Sequence, residues 1–586
     1  MSEKVSRIYS NFRGVDFRGE EINLTRSPDV LNMWKDYKET ESIRTRPGLA
    51  LKNAMADKVY GIFFYNGAEL VHAGTKLYKI TDNGSEELLG DMNEATSSGF
   101  VYEGIFYIKD GKSYLRYDGT EIKPVEGFIP TTTIGRAPMG GGTKHQDVNM
   151  LSDYRRNTFL SDGGSFDYYL DAMNIDDDFL PQITYSYLQE ESVPDEESGE
   201  ETFGYTPVTR VLDASEYEVD YAKGKITFLN FAPDAPATDG QDNIEVLFKK
   251  QVVDDSGNEV YRKLILDCTL LQVFDNRVFF SGNPDHPNYV WHSSLDDPSY
   301  VSDLDYYKEG MDEAPVRGMV AGNNALWVFR APSDANTTVF YHVPTIDEEY
   351  GKIYPSTHSS VTTGCIGRAI NFNDDIVFFS ERGMEGISGD IMTEQVLAHR
   401  SSLVDRKLTA EDGYKDMILA EWEGYLLVII GSKVYLADSR AMFQNENHVE
   451  YEWFYWELDK EITCAGVQDG VLYLGAGDGV YTLTDTEKNL RSHWTTPKDK
   501  FNNPHKLKTT NKRGCVAEAT GDIEVSAKLE DTDFEIVGEY KGVTDFFVSR
   551  IKRKKFKDIQ LRFASNARFS LETVTLESYI GGYIKR

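Results

Sequence analysis

VYGIFFYNGAELVHAGTKLYKITDNGSEELL (59–89) and FVYEGIFYIKDGKSYLRYDGTEIKPV (100–125) are two copies of one pattern. Gly61-Ile62-Phe63-Phe64-Tyr65 ends at Asn66-Gly67. Gly104-Ile105-Phe106-Tyr107-Ile108 ends at Asp110-Gly111, an offset of 43–44 residues. Each copy then carries a second pair of short apolar runs, around Leu77-Tyr78-Lys79 and around Leu115-Arg116-Tyr117. Short β-branched and aromatic runs bounded by Asn-Gly or Asp-Gly are hairpin signals. Four such strands per unit, at a period of about 40–45 residues, is the spacing of a propeller blade.

The grammar resumes further along. LLQVFDNRVFFSGNP (270–284), GMVAGNNALWVFRAP (318–332), AINFNDDIVFFSERGMEGIS (369–388), LAEWEGYLLVIIGSKVYLADS (419–439) and AGVQDGVLYLGAGDGVYTLTD (465–485) each run strand, polar turn, strongly apolar strand. Residues 50–127 and 265–490 are therefore expected to form the two parts of an all-β propeller, with about seven blades and a range of six to eight. The repeats are degenerate, and other β architectures stay open at this point.

Three further segments frame the blades. Residues 1–49 are expected to be an N-terminal docking arm, with 29–38 (DVLNMWKDYK) a short helix or irregular stretch. Residues 128–264 are an insertion, and its acidic stretch EESVPDEESGEE (190–201) reads as a loop. Within it Tyr217, Val219 and Tyr221, then Ile226 and Phe228, then Ile244, Val246 and Phe248 alternate with polar residues. Lys223-Gly224 marks a turn. Period-2 alternation predicts a small antiparallel β-sandwich lobe. The alternating IEVSAKLE, KDIQLRFAS and FSLETVTLESYI predict a C-terminal β-sandwich module over 491–586.

Composition narrows the function classes. Of 586 residues, 40% are hydrophobic and 12% aromatic, enough to build packed cores, and the net charge is −34. So acidic a surface disfavours gripping DNA by counterion release. It suits either plain solubility or a wall that nucleic acid slides past. Cys268, Cys365, Cys464 and Cys515 lack close pairing, which fits buried free thiols rather than a zinc site. MSEKVSRIYSNFRG has no apolar core for a secretory signal, and no run has the length of a membrane helix. The expectation is a chain made in a cytoplasm, with no membrane span.

Catalytic signals are weak. The ten His show no HExxH or HxH spacing, and neither a Gly-x-Ser-x-Gly elbow nor a phosphate loop is present. Asp176-Asp177-Asp178 lacks the alternation of a calcium loop. The reading is non-enzymatic, with no catalytic residue, cofactor or metal. The residues that stand out are basic. Arg550, Lys552, Arg553, Lys554, Lys555 and Lys557 crowd together, and Arg13, Arg18, Arg26, Arg44 and Arg46 cluster near the start. The C-terminal run reads as a charged edge that resists aggregation, as a dock for an acidic subunit, or as a DNA contact. Arg13, Arg44, Arg46, Arg550, Lys552, Arg553, Lys554 and Lys555 are the candidate subunit-docking residues.

Several segments together resemble a known family. They are Asn11-Phe12-Arg13-Gly14-Val15-Asp16, Ser27-Pro28, Asn32-Met33 and Arg44-Thr45-Arg46-Pro47-Gly48-Leu49. Asn276-Arg277-Val278-Phe279, Gly282-Asn283-Pro284, Pro287-Asn288 and Ser293-Ser294-Leu295-Asp296-Asp297-Pro298-Ser299-Tyr300 follow, then Trp494-Thr495-Thr496 with Pro504 and Lys506. The set resembles the packaged-DNA-stabilisation and tail-nozzle or hub proteins of bacteriophages. The resemblance implies a structural virion protein of the tail, assembled in the host cytoplasm. It implies a homo-oligomeric ring of about six copies, below the portal and adaptor and in contact with other tail proteins. Viral DNA would pass along the axis without specific binding. The alternatives are a tail-tip or baseplate propeller that binds a host receptor or glycan, and a glycan-cleaving propeller.

Overall fold

The computed structural model describes residues 3–36, 39–81, 84, 86–194, 201–334, 337–348, 351–388, 396–445, 448–486, 489–551 and 554–583. The side chains of 39–41, 86, 191–194 and 201–203 lie outside that description.

One device recurs through the chain. The turns at Asn66-Gly67, Glu103-Gly104, Asp275-Asn276, Asn323-Asn324, Asn373-Asp374, Glu423-Gly424 and Asp469-Gly470 each hold two consecutive residues at positive φ. That is the signature of the type I′ turn, whose twist matches the strands it joins. Asn, Asp and Gly tolerate this backbone region best. Each turn joins the first two strands of a four-stranded unit.

Among the described residues there are seven such units. Blade 1 is Val59–Tyr65, Ala68–Ala73, Lys76–Ile80 and Glu86–Asp91. Blade 2 is Ser98–Tyr102, Ile105–Lys109, Tyr114–Tyr117 and Ile122–Pro124. Blade 3 is Leu270–Phe274, Arg277–Ser281, Tyr289–His292 and Tyr306–Lys308. Blade 4 is Val316–Gly322, Ala325–Arg330, Val339–His342 and Ser356–His358. Blade 5 is Ala369–Phe372, Asp375–Ser380, Gly383–Ser388 and Val396–His399. Blade 6 is Ile418–Trp422, Tyr425–Ile430, Lys433–Asn445 and His448–Glu457. Blade 7 is Ile462–Gln468, Val471–Ala476 and Gly479–Thr484, completed by Gly48–Ala54 from the other end of the chain. The chain is an all-β propeller, as its repeats predict.

The second strand of a blade is its buried centre. Ala325–Arg330 and Tyr425–Ile430 are buried at every position, so both faces are apolar. That explains the runs ALWVF and YLLVII, which lack the alternation of a half-exposed strand. Blades meet through large side chains: Phe329 lies 5.0 Å from Phe378, and Phe64 4.8 Å from Tyr473, between ring centroids.

The chain forms two compact units, Met1–Asp110 with Asp118–Ile122 and Gly310–Arg586, and Gly111–Tyr117 with Lys123–Glu309. The second unit contains the inserted lobe, a β-sandwich. Its larger sheet orders Thr143–Lys144, Thr131–Arg136, Tyr154–Phe159, Ile244–Lys249, Gln182–Pro194 and Glu201–Val211. Its smaller sheet is Asp167–Tyr169, Lys225–Phe228 and Tyr217–Asp220. Gly224, at φ 61°, makes the expected turn, and a Cβ there would lie 2.0 Å from the Ala172 carbonyl oxygen. Ile226 and Phe228 from one sheet and Ile244, Val246 and Phe248 from the other share one core with Phe159 and Tyr168. One pair departs from the antiparallel expectation: Thr131–Arg136 runs parallel to Tyr154–Phe159.

The acidic stretch 190–201 is also corrected in part. The strands continue to Pro194 and resume at Glu201, because ITYSYL and TFGYTPVTRV are rich in β-formers and carry the pairing outward. Asp195, Glu196, Glu197 and Glu200 lie outside the described residues.

In the first unit, the described part of residues 1–49 contributes strands to sheets rather than standing off as an arm. Glu3–Tyr9 pairs with Phe569–Tyr583, and Val30–Leu31 with Ser492–Thr495. Met33–Asp36 pairs with Glu39–Thr45, which in turn pairs with the C-terminal strand. Over its described part the segment 29–38 is therefore two short strands, Val30–Leu31 and Met33–Asp36, broken at Asn32 (φ 55°), and not a helix. Burial decides this: Trp34 is 2% exposed, stacked on Trp422 at 5.4 Å and edge-on to Trp456 at 5.5 Å. The C-terminal module is organised by Lys506–Leu529 and Phe569–Tyr583, two long strands that pair with each other.

Candidate docking site

The N-terminal arginines divide: Arg26 and Arg46 are buried, Arg44 is half-buried, and Arg13 and Arg18 stay exposed. The Arg26 guanidinium donates to both carboxylate oxygens of Glu452, at 2.8 and 2.7 Å, and both side chains are buried. Arg13 reaches the same carboxylate at 3.8 Å. Arg18 forks onto Asp16, and Arg44 pairs with Asp36 at 3.1 Å. Arg46 is 2% exposed and donates to Asn32 Oδ1 and to the carbonyls of Pro47 and Glu457. Arg46 is thus not a docking residue. Arg13 and Arg44 are committed to carboxylates of their own chain. A buried guanidinium keeps its charge, so it must find carboxylates and carbonyls inside.

Other links in this unit escaped sequence reading. Asp29 accepts from His493 at 3.1 Å and also pairs with Arg562. Burial alone would raise Asp29, but His493 and Arg562 outweigh it and hold the carboxyl at about 2. His399 lies between Asp405, at 2.6 Å, and Glu385, at 3.3 Å. Burial would lower its pKa, yet the two carboxylates push it up to about 10. No local motif marks these residues: His399 meets Glu385 across the strands of one blade, while Asp29 meets His493 and Arg562 from the far end of the chain. His72 packs in blade 1 between Ser97 Oγ and the Gly74 carbonyl.

The C-terminal basic run behaves differently. Arg550, Lys554 and Lys555 are exposed, and Lys552 and Arg553 lie outside the described residues. The three described cations line a cavity of about 280 Å³ with Leu529, Ile536, Val537 and Ile551. Glu530 and Glu535 complete the rim, and Lys554 reaches Glu535 at 3.7 Å. Ile536 is 58% exposed, so the floor presents apolar surface to solvent. The groove arises because Glu535–Val543 and Lys555–Phe556 pair with different stretches of Lys506–Leu529. It can take a segment that offers apolar side chains beside carboxylates.

Cys268, Cys365, Cys464 and Cys515 are buried, and burial pushes the thiols of Cys365, Cys464 and Cys515 up to about 12. Among the described residues no group of three or more His, Cys, Asp or Glu is placed to hold a metal ion. Asp176 accepts from the Gln251 N–H and Asp178 pairs with Lys249. Among those residues, too, no helix is long and apolar enough to cross a membrane. The stretch 276–300 stitches blade 3 together. Arg277 donates to the Ser293 carbonyl at 2.8 Å, Ser293 Oγ accepts from the Val278 N–H, and Asn283 Oδ1 accepts from the N–H groups of Asp285 and His286.

These features define a propeller protein with added β modules. No protein-family model matches the chain, and no curated protein matches it in sequence. Among solved structures it is similar to BamB from Moraxella catarrhalis, at 8% identity over 80% of this chain and 96% of that one, with a TM-score of 0.31. It is similar to the Pan2 WD40 domain of Neurospora crassa, at 8% identity, 77% and 98% coverage and a TM-score of 0.25. An exo-beta-1,3-galactanase from Phanerochaete chrysosporium matches at 10% identity, 56% and 98% coverage and a TM-score of 0.21. Likeness at this level transfers no activity, partner or residue role to this chain.

Proposed function

We propose that the chain is a structural, non-catalytic protein of a bacteriophage tail. In this reading it forms a ring of about six copies at the nozzle or hub, below portal and adaptor. There it helps retain the packaged genome and conducts DNA on ejection. The observation that carries the reading is the groove of Arg550, Lys554 and Lys555, an exposed basic and apolar surface on a chain of net charge −34. The apolar floor supplies contact area, and the cations supply register and steering toward acidic protein. The resemblance of 11–49 and 275–300 to tail-nozzle proteins supports the place in the tail. The acidic balance supports a conduit, since like charge removes the phosphate contacts that would trap the genome.

Negative-stain images of virions labelled with an antibody to this chain test the reading. Label at the head–tail neck or tail tube is expected. Label at fibre tips, or none on virions, overturns it.

A further inference from the structure

The larger sheet of the inserted lobe is uneven. Gln182–Pro194 and Glu201–Val211 pair from Thr184↔Val211 out to Pro194↔Glu201. Ile244–Lys249 flanks this hairpin only at 182–185. From 186 to 194, and from 201 to 209, no third strand joins the ribbon among the described residues. Nine residue pairs extend it by about 30 Å. A two-stranded ribbon without a sheet or helix against it is marginal in water.

Its composition is specific. Side chains alternate, so Leu188 and Glu190 share one face with their cross-strand neighbours Pro207 and Tyr205. All four are exposed, Tyr205 at 64% and Leu188 at 41%. The ribbon thus offers apolar groups beside the Glu190 carboxylate. The groove offers the complement: Leu529, Ile536, Val537 and Ile551 beneath Arg550, Lys554 and Lys555.

We propose that the ribbon of one copy, over 186–190 and 205–209, seats in the basic groove of a second copy. Leu188 and Tyr205 cover the apolar floor, and Glu190 meets the cations. The two surfaces differ, so the contact is heterologous, and repeated around an axis it builds a ring. This inference rests on the reading of the groove as a dock and names its occupant.

The test uses the full chain in sedimentation velocity over a concentration series, at low and at moderate salt. Self-association that weakens with salt is expected. Glu190→Lys weakens it about tenfold or more, as does Arg550→Glu with Lys554→Glu. Mixing the two variants restores association, because the reversed charges then face each other. Disulfide trapping locates the contact: Leu188→Cys with Ile536→Cys gives chains linked between copies under oxidation. Wild-type chain that stays monomeric at about 50 μM, association untouched by either reversal, no recovery on mixing, or a link formed only within one chain overturns the proposal. The reading of the groove fails separately. If groove reversal prevents incorporation into virions while ribbon reversal does not, the groove still docks a tail protein and only the ribbon is excluded as its occupant.

Discussion

The blades and the chain-end module are both β-sheet, but they are assembled on different length scales. A blade hairpin closes over two residues, as at Asn323-Asn324, and its strands are adjacent in sequence. In the chain-end module Glu3 pairs with Ile580, and Arg26 finds its carboxylate at Glu452. Blade 6 stands between the two regimes. Its hairpins are local, yet its outer strand His448–Glu457 carries the glutamate that holds the N-terminal segment. Blade stability therefore resides in turns and apolar strands, and the module's in long-range pairs that form only when both chain ends are in place.

The largest test of that contrast is Glu452→Gln. It leaves Arg26 buried and charged with half a partner, and should cost about 3–5 kcal/mol in denaturant unfolding of the full chain. The double variant Arg26→Met with Glu452→Leu should recover most of that loss; failure to recover would show that the pair sets position rather than offsetting charge. Gly14→Ala comes next. Gly14 sits at φ 121°, and a Cβ would lie 2.0 Å from the Trp453 carbonyl oxygen. A loss of about 2–3 kcal/mol is expected, with Trp453 fluorescence reporting the displacement.

A pH titration of stability separates the two kinds of link. His399 is raised in the folded state to about 10, so its contribution is fully present below about 6.5 and disappears as pH rises toward 10. His399→Gln should cost about 1–2 kcal/mol at neutral pH and flatten that alkaline slope. Asp29 is held at about 2, so its contribution is present above about 4 and is lost as pH falls toward 2. Asp29→Asn should flatten the acid limb instead. The smallest effect lies in a blade turn. Glu103 takes the φ 46° position that Asn fills in blades 1, 4 and 5. Glu103→Asn should raise stability by about 0.5–1 kcal/mol with no change in the slope of the unfolding curve.

The candidate site was legible only in part. The run 550–557 stands out by charge against an acidic chain, and three of its cations do line the groove. The floor did not stand out, because Leu529, Ile536 and Val537 lie beyond a turn and read as ordinary alternating strand. The N-terminal arginines misled for the opposite reason. Charge in sequence does not reveal that Glu452 and the Glu457 carbonyl, more than four hundred residues on, take up Arg26 and Arg46.

By itself the sequence determined what is local: the repeated hairpins, the buried central strands, the alternation that makes the inserted lobe a sandwich, and the surplus of acid. Type I′ turns and strand periodicity depend on a few neighbouring residues, so they can be read without a fold. The tertiary structure decided the rest. It completed blade 7 with Gly48–Ala54, drew Val30–Leu31 and Met33–Asp36 into a sheet, buried Arg26 and Arg46, and left the C-terminal basic run lining a groove. Each of those outcomes depends on which distant backbone edge or carboxylate arrives nearby, and only packing brings them together.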